Sequence, residues 1–202
     1  MRSLLIFILV TGVVFSDPTL AYEERDLQRL LEKNACPGCD LTGADLSRRA
    51  LQGADLRAAN LTGVHLVQAN LHQANLAGAR LVAAQLTGVD LSFANLNGAD
   101  LSRAYLYSAK LPNANLSEAN LRETVLNGAN LSGSILRMTY LFKAKLQETN
   151  LYKTKFSKAN LREADLTRAN LTGADFNEAI YNKLTKFPDG FDPEAAGMVL
   201  RS

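Results

Sequence analysis

The sequence predicts an all-β solenoid, a chain wound into stacked coils of short extended segments. Two regularities carry this reading. From Leu41 to Phe176 every fifth residue is Leu or Phe, at 28 consecutive positions, and only Phe156 and Phe176 depart from Leu. Two residues before each of them stands Ala in 19 cases, and one residue before stands Asp or Asn in 17. A period of five fits neither a helix, at 3.6, nor a strand, at 2. The chain must therefore return to the same orientation every five residues, which a corner in each pentad accomplishes. The central Leu points inward, the small residue beside it fits the tight interior, and the rest face water. Asn and Asp suit corners because their side chains bond nearby backbone and tolerate turn dihedrals.

The size of one coil follows from charge. If a coil takes 20 residues, Lys143 lies against Glu163, Lys145 against Asp165, Lys155 against Asp175, Lys158 against Glu178 and Glu148 against Arg168. Lys153, against Gly173, has no acidic neighbour. A 15-residue coil instead sets Lys143 against Lys158 and Lys153 against Arg168. Five-sided coils give two like pairs for one opposite pair. A four-sided coil satisfies the charges. It also aligns Glu123, Lys143 and Glu163 in one column and Arg122, Phe142 and Arg162 in another, where cation–π stacking is expected. Exposed pairs of this kind are worth up to about 1 kcal/mol each. Their expected role is register, since near-identical repeats could slip by a pentad.

This pattern resembles the pentapeptide-repeat family over residues 39–178. The resemblance implies a right-handed quadrilateral β-helix of about seven coils, roughly 34 Å tall at the spacing of stacked strands. One residue breaks the inner rule: Arg49 takes a small-residue slot, and the reading expects escape toward the open end or an N-terminal carboxylate, or a local bulge.

The flanks complete the domain plan. Residues 1–21 carry Arg2, a 12-residue apolar run from Leu4 to Phe15, and Thr19-Leu20-Ala21 with small residues at −3 and −1. They read as a secretory signal with the mature chain starting near Tyr22; an uncleaved anchor is the alternative. Residues 22–38 read as a short helical cap laying Leu27, Leu30 and Leu31 on the first coil. Residues 179–202 lose the period and read as an irregular cap holding Ile180, Tyr181, Phe187 and Phe191 around Pro188-Asp189-Gly190. The segments LLEKNACPGCDLTGADL and YNKLTKFPDGFDPEAAGM are similar to the ends of exported cyanobacterial family members, and that resemblance implies a thylakoid lumen or periplasm.

For Cys36 and Cys39 an exported setting favours a disulfide. A redox-active pair is the functional alternative, although no thioredoxin-like βαβ unit follows. Metal binding would need further ligands, and His65 and His72 lie far along the repeat. The chain offers no Ser/His/Asp arrangement, no phosphate loop, no cofactor motif and no metal-ligand set. A net charge of +2 disfavours nucleic-acid binding and an acidic DNA-mimic inhibitor alike.

What is expected is a non-enzymatic exported structural or interaction protein, free of the membrane once the signal is cleaved, monomeric or paired end to end. Its unknown protein partner would meet a flat side or a capped end. Candidate contact residues are Tyr140, Phe142, Tyr152 and Lys153, where aromatics and lysine replace the usual surface. Further candidates are His65, Gln85 and Tyr105 of a column continuing to Val125 and Lys145, where Asp or Asn is usual.

Overall fold

A computed structural model describes residues 22–201. The expected secretory signal lies outside the described residues. Two segments come before and after the repeat. Helix α1 spans Glu24–Lys33 and ends at Asn34, which takes a left-handed conformation and donates its N–H to the Leu30 carbonyl at 2.8 Å. Strands β1, Ile180–Tyr181, and β2, Val199–Leu200, pair in parallel at the C-terminal end.

Between them the chain repeats one local event. In each pentad the residue before the inward Leu bridges to the residue 20 positions on, from Ala35↔Asp55 through Asn160↔Ile180. The 20-residue coil inferred from charge is thus the observed register. The inward residues define four faces: a first carrying Leu41, Leu61 and their successors, then faces carrying Leu46, Leu51 and Leu56 and theirs. Residues ten apart in sequence lie on opposite faces. The repeat starts earlier than expected, because Ala35 already pairs with Asp55 and Cys36-Pro37-Gly38-Cys39 forms the first corner.

The backbone of one pentad explains the whole consensus. The inward Leu41 donates its N–H to the Asn60 carbonyl of the next coil at 2.8 Å, and Gly43 donates to Thr62 at 2.9 Å. Ala44 closes the corner by donating to Leu41 at 3.1 Å, and His65 of the next coil donates back to the Ala44 carbonyl at 2.9 Å. One N–H, that of Thr42, has no backbone acceptor, and the Asp40 carboxylate takes it at 3.0 Å. An amide left unpaired near the core is costly, so the position needs a side-chain acceptor. Each of the 17 Asp and Asn residues in this slot fills that role, from Asp40 to Asp175. The two prolines of the repeat confirm the logic. Pro37 and Pro112 stand where the donor would be, after Ala35 and Lys110, which offer no such acceptor. Several amides also bond along the axis, as Asn120 does to Asp100 at 2.9 Å.

The corner itself belongs to another residue. Asp and Asn were expected to tolerate the turn dihedrals, but the left-handed φ falls three residues later, at Gly43, Arg48, Gly53, Ala58 and onward to Glu178. A positive φ at the third residue of a closed four-residue turn is the type II pattern. Many of these positions carry Lys, Glu or Arg, so the coil holds non-glycine residues in a conformation that costs about 1–2 kcal/mol apiece.

Inside, the Leu column is buried from Leu41 to Leu166. Where Ala gives way to Thr124, Thr139 or Thr154, the hydroxyl donates to the carbonyl of Leu101, Leu116 or Leu131, so the interior stays satisfied. Phe156 and Phe176, one coil apart, stack with centroids 4.9 Å apart. Phe191 and Phe187 extend that stack across the C-terminal end, and Tyr181 joins it. Leu171 and Ala174 are only partly covered there. At the N-terminal end Leu30 is buried and Leu27 partly so, while Leu31 is exposed rather than laid on the coil. Arg49 takes the first of the escapes the sequence left open. Its N–H and carbonyl keep the regular pattern, without a bulge, and its side chain is exposed beside Leu30, Asn34 and Leu51 at the end of the coil.

Two outcomes test this account. Glu118, exposed at φ 60°, should gain up to about 1 kcal/mol as Glu118→Gly, whereas Gly98→Ala, at φ +64° with open space around it, should lose about 1 kcal/mol. Opposite shifts of the denaturation midpoint are expected; equal shifts would refute the turn assignment. The second concerns acid. The Thr42 hydroxyl, opposed by burial and aided by the Thr42 N–H and Asn60, holds the Asp40 carboxyl below its ordinary range. The Asn177 N–H and the Ser157 hydroxyl do the same for Asp175. A depressed carboxylate contributes stability at neutral pH that is lost as pH falls through its folded pKa. Melting temperature should hold from pH 7 to about 5 and drop below about pH 4, with Asp40→Asn plus Asp175→Asn flattening that drop.

Candidate functional site

The corner at Cys36–Cys39 is a disulfide, with the two Cα atoms 5.4 Å apart. In the repeat's register Cys36 occupies the inward Leu slot and Cys39 the small-residue slot, and both are buried. Asp26 of α1 accepts the Asp40 N–H at 2.9 Å, and its carboxylate, with both sulfurs, forms a group within 4.8 Å. Because the sulfurs are joined to each other, they are not available as thiolate ligands for a metal. Arg29 of α1 also reaches to 4.0 Å from the Cys39 sulfur. The bond therefore closes the first corner of the coil, and Asp26 and Arg29 seat the helix against it.

The candidate surface residues separate into different places. Tyr140 and Phe142 sit on the first face and at the corner between first and second faces. Tyr152 and Lys153 lie half a coil away, between the third and fourth faces, so one patch does not contain all four. Lys153 is not free either, because its Nζ lies 5.0 Å from the Tyr152 ring centre. The expected Arg122–Phe142–Arg162 stack rearranges. Arg122 covers Tyr140 at 5.3 Å, Lys143 covers Phe142 at 5.0 Å, and Arg162 donates to Asn160 at 3.2 Å.

Three of the expected charge pairs form: Lys143–Glu163 at 3.6 Å, Lys158–Glu178 at 3.7 Å and Arg168–Glu148 at 3.3 Å. Glu123 pairs with Arg103 at 3.9 Å. Lys145 and Asp165 do not pair. After residue 180 one extra residue enters the coil, so Asp165 bridges to Lys186, and Lys186 reaches its carboxylate at 3.5 Å. Gln147 donates to the same carboxylate oxygen at 3.0 Å, and Thr167 occupies the other oxygen. Among the described residues Lys145 is left without an ion pair. Lys155 likewise makes no such contact with Asp175, which accepts from Ser157 at 2.7 Å.

The column His65, Gln85, Tyr105, Val125 and Lys145 is a continuous line of bridges up the second face. Asp45 and Asp165 end it on either side. Five successive coils here lack the Asp or Asn acceptor; on the other faces such departures stand singly or as the pair Ile135 and Lys155. As a result the backbone N–H groups of Val67, Thr87, Tyr107, Asn127 and Gln147 have no protein acceptor among the described residues. Beside them a shallow groove is lined by Arg103, Tyr105, Tyr107, Glu123, Val125, Lys143 and Lys145. Tyr105 and Tyr107 are 40% and 43% exposed. The one buried side-chain polar atom without a partner among the described residues, Asn127 Oδ1, also belongs to this edge. Tyr107 and the row of bare N–H groups escape a reading of side-chain types, because the signal is a missing acceptor two residues away.

The model for pentapeptide repeats matches residues 39–76, 65–103, 99–137 and 144–180. The chain belongs to the pentapeptide-repeat family, whose members fold as right-handed quadrilateral β-helices, in keeping with the register above. HetL, a pentapeptide repeat protein involved in heterocyst differentiation regulation from the cyanobacterium Nostoc sp. strain PCC 7120, is 30% identical over 82% of this chain and 80% of its own, with a TM-score of 0.37. Rfr23 from the cyanobacterium Cyanothece 51142 is also 30% identical, over 81% of this chain and 97% of its own, with a TM-score of 0.23. A pentapeptide repeat protein of the Arabidopsis thaliana thylakoid lumen is 22% identical over 55% of this chain and 63% of its own, with a TM-score of 0.32. No curated protein matches the chain. Among the described residues no helix is long and apolar enough to cross a membrane.

If the disulfide is a fastening, removing it as Cys36→Ala with Cys39→Ala should lower stability by about 2 kcal/mol, the chain-entropy value for so short a loop. Writing the repeat's own inward pair, Cys36→Leu with Cys39→Ala, should recover at least half of that loss in a denaturant titration. Recovery of none would show that the sulfurs do more than fill the coil.

Proposed function

We propose that this is an exported, non-enzymatic interaction protein that binds a protein partner through the second face of its coil. The single observation that carries the reading is the second-face column, where five coils in succession give up the acceptor on which the corners depend and expose Tyr105 and Tyr107 instead. The interior supports it: the Leu column fills the coil, so recognition belongs to the outer faces. Exposed aromatics are the side chains that anchor protein interfaces. The domain plan supports the same reading. Residues 1–21 act as the export signal, residues 22–38 and 179–202 close the two ends of about seven coils, and Cys36–Cys39 locks the first of them. Export into a thylakoid lumen or periplasm accords with that disulfide and with the N-terminal sequence.

A thiol–disulfide function is the second reading, because the bond closes the first corner of the coil, just after the helix. It requires access to Cys36, and the burial of both sulfurs weighs against it. DNA mimicry is weaker still, since the second face carries lysine and arginine.

A photocrosslinking residue placed at Tyr105, in cells that export the protein, should trap one partner reproducibly. The same probe at Asn115, on the opposite face, should trap none. Equal capture from both positions, or capture at Asn115 alone, would defeat the assignment.

A further inference from the structure

We infer that the second face receives an acidic, extended segment of the partner protein, which lies along the coil axis with its oxygens on the bare N–H column. The inference rests on the face assigned above and adds the chemistry of what binds there. Three observations converge. The first is hydrogen bonding: Val67, Thr87, Tyr107, Asn127 and Gln147 each present an unmet backbone donor at the same corner of successive coils. Donors in a row call for oxygen acceptors, as carbonyls or carboxylates supply. Water meets these donors only until a partner displaces it.

The second is charge. Lys186 has taken Asp165, leaving Lys145 at the top of the column with no internal carboxylate. Arg103 and Lys143 line the same groove, paired with Glu123 and Glu163, so Lys145 is the groove's one cation without an ion pair among the described residues. A carboxylate seated near Lys145 gains a charge-assisted bond without displacing an existing pair. The third is shape. Tyr105 and Val125 form the floor between donors and cations, so the segment that fits is acidic and also carries an apolar or aromatic residue. A polyphosphate chain fits less well, because Glu123, Glu163 and Asp165 interrupt the basic surface and a nucleic-acid site needs it continuous.

The corner also provides a clean test. Its second residue accepts proline, as Pro37 and Pro112 show, so Thr87→Pro deletes one bare donor and leaves the coil intact, with Thr87→Ala as control for the side chain. A phage-displayed library of random 12-residue peptides is panned on the purified exported protein, and synthetic copies of the enriched peptides are titrated. Enrichment of Asp and Glu beside an aromatic is expected. Lys145→Glu, and more mildly Lys145→Gln, should weaken the synthetic peptide by about 10-fold or more for Glu. Tyr105→Ala should weaken it by about 10-fold. Thr87→Pro should weaken it about 3- to 10-fold relative to Thr87→Ala. Lys155→Glu, on the opposite face, should leave binding unchanged, and unaltered melting temperatures establish that each variant is folded.

Neutral apolar peptides that are lost on Tyr105→Ala but indifferent to Lys145→Glu would overturn the acidic segment while leaving the face. Peptides indifferent to both would overturn the segment and the face together. No enrichment overturns the inference, as does Lys145-dependent retention on phosphatidylglycerol vesicles or poly(U) RNA with no acidic peptide captured.

Discussion

The structure depends on where one backbone N–H goes. A coil with a corner every five residues lets four of the five amides in each interior pentad find carbonyls, in the coil above, in the coil below or across the turn. The fifth points along the corner, where no backbone acceptor can reach it. Asp or Asn two residues earlier supplies the oxygen, and the repeat's most visible polar feature follows from that vacancy. The same constraint explains two prolines that no propensity scale would place inside a repeat. At two of the corners where the acceptor is missing, proline removes the donor.

The interior and the corners then divide the work. Leu and Ala fill a narrow space in which both slots are covered by the coils above and below. That packing holds Lys, Glu and Arg in the left-handed conformation at the corners, which those residues would not choose alone. A substitution at a corner therefore acts through backbone strain and one at an inward slot through packing. Surface charges act more weakly, and their value lies in aligning coils that would otherwise be interchangeable.

A solenoid of this kind has a filled axis and four flat sides, so any distinctive chemistry must come from local departures from the rule. On the other three faces the departures stand singly or as one pair. The second face is different because its departures are consecutive, and because a lost acceptor does two things at once. It frees a donor and makes room for an exposed ring. The disulfide at the first corner belongs to the opposite category, since it keeps the rule and only changes the atoms that satisfy it. Family membership explains the rule and leaves the departures to this chain.

How much of this was legible in advance depends on range. The coil of 20 residues, the inward column and the four-sided section were readable from spacing and charge, because each is set by interactions that recur at every level. Lys143 with Glu163 and Glu148 with Arg168 were readable for the same reason. The turn position of the positive φ was not, because composition at a corner reports the side chains a coil tolerates, not which residue bears the strain. Nor was the fate of Lys145. A single inserted residue beyond Ile180 brings Lys186 to Asp165, and a one-residue shift at the end of a coil is invisible to a rule that counts in twenties. Tyr140 and Tyr152 looked like one patch along the chain, and the four-sided winding puts them on different sides. The coil could be read from residue spacing, since its period is local and repeated. Which surface groups lack partners is fixed on folding, because it depends on which side chains the two end segments bring to the coil.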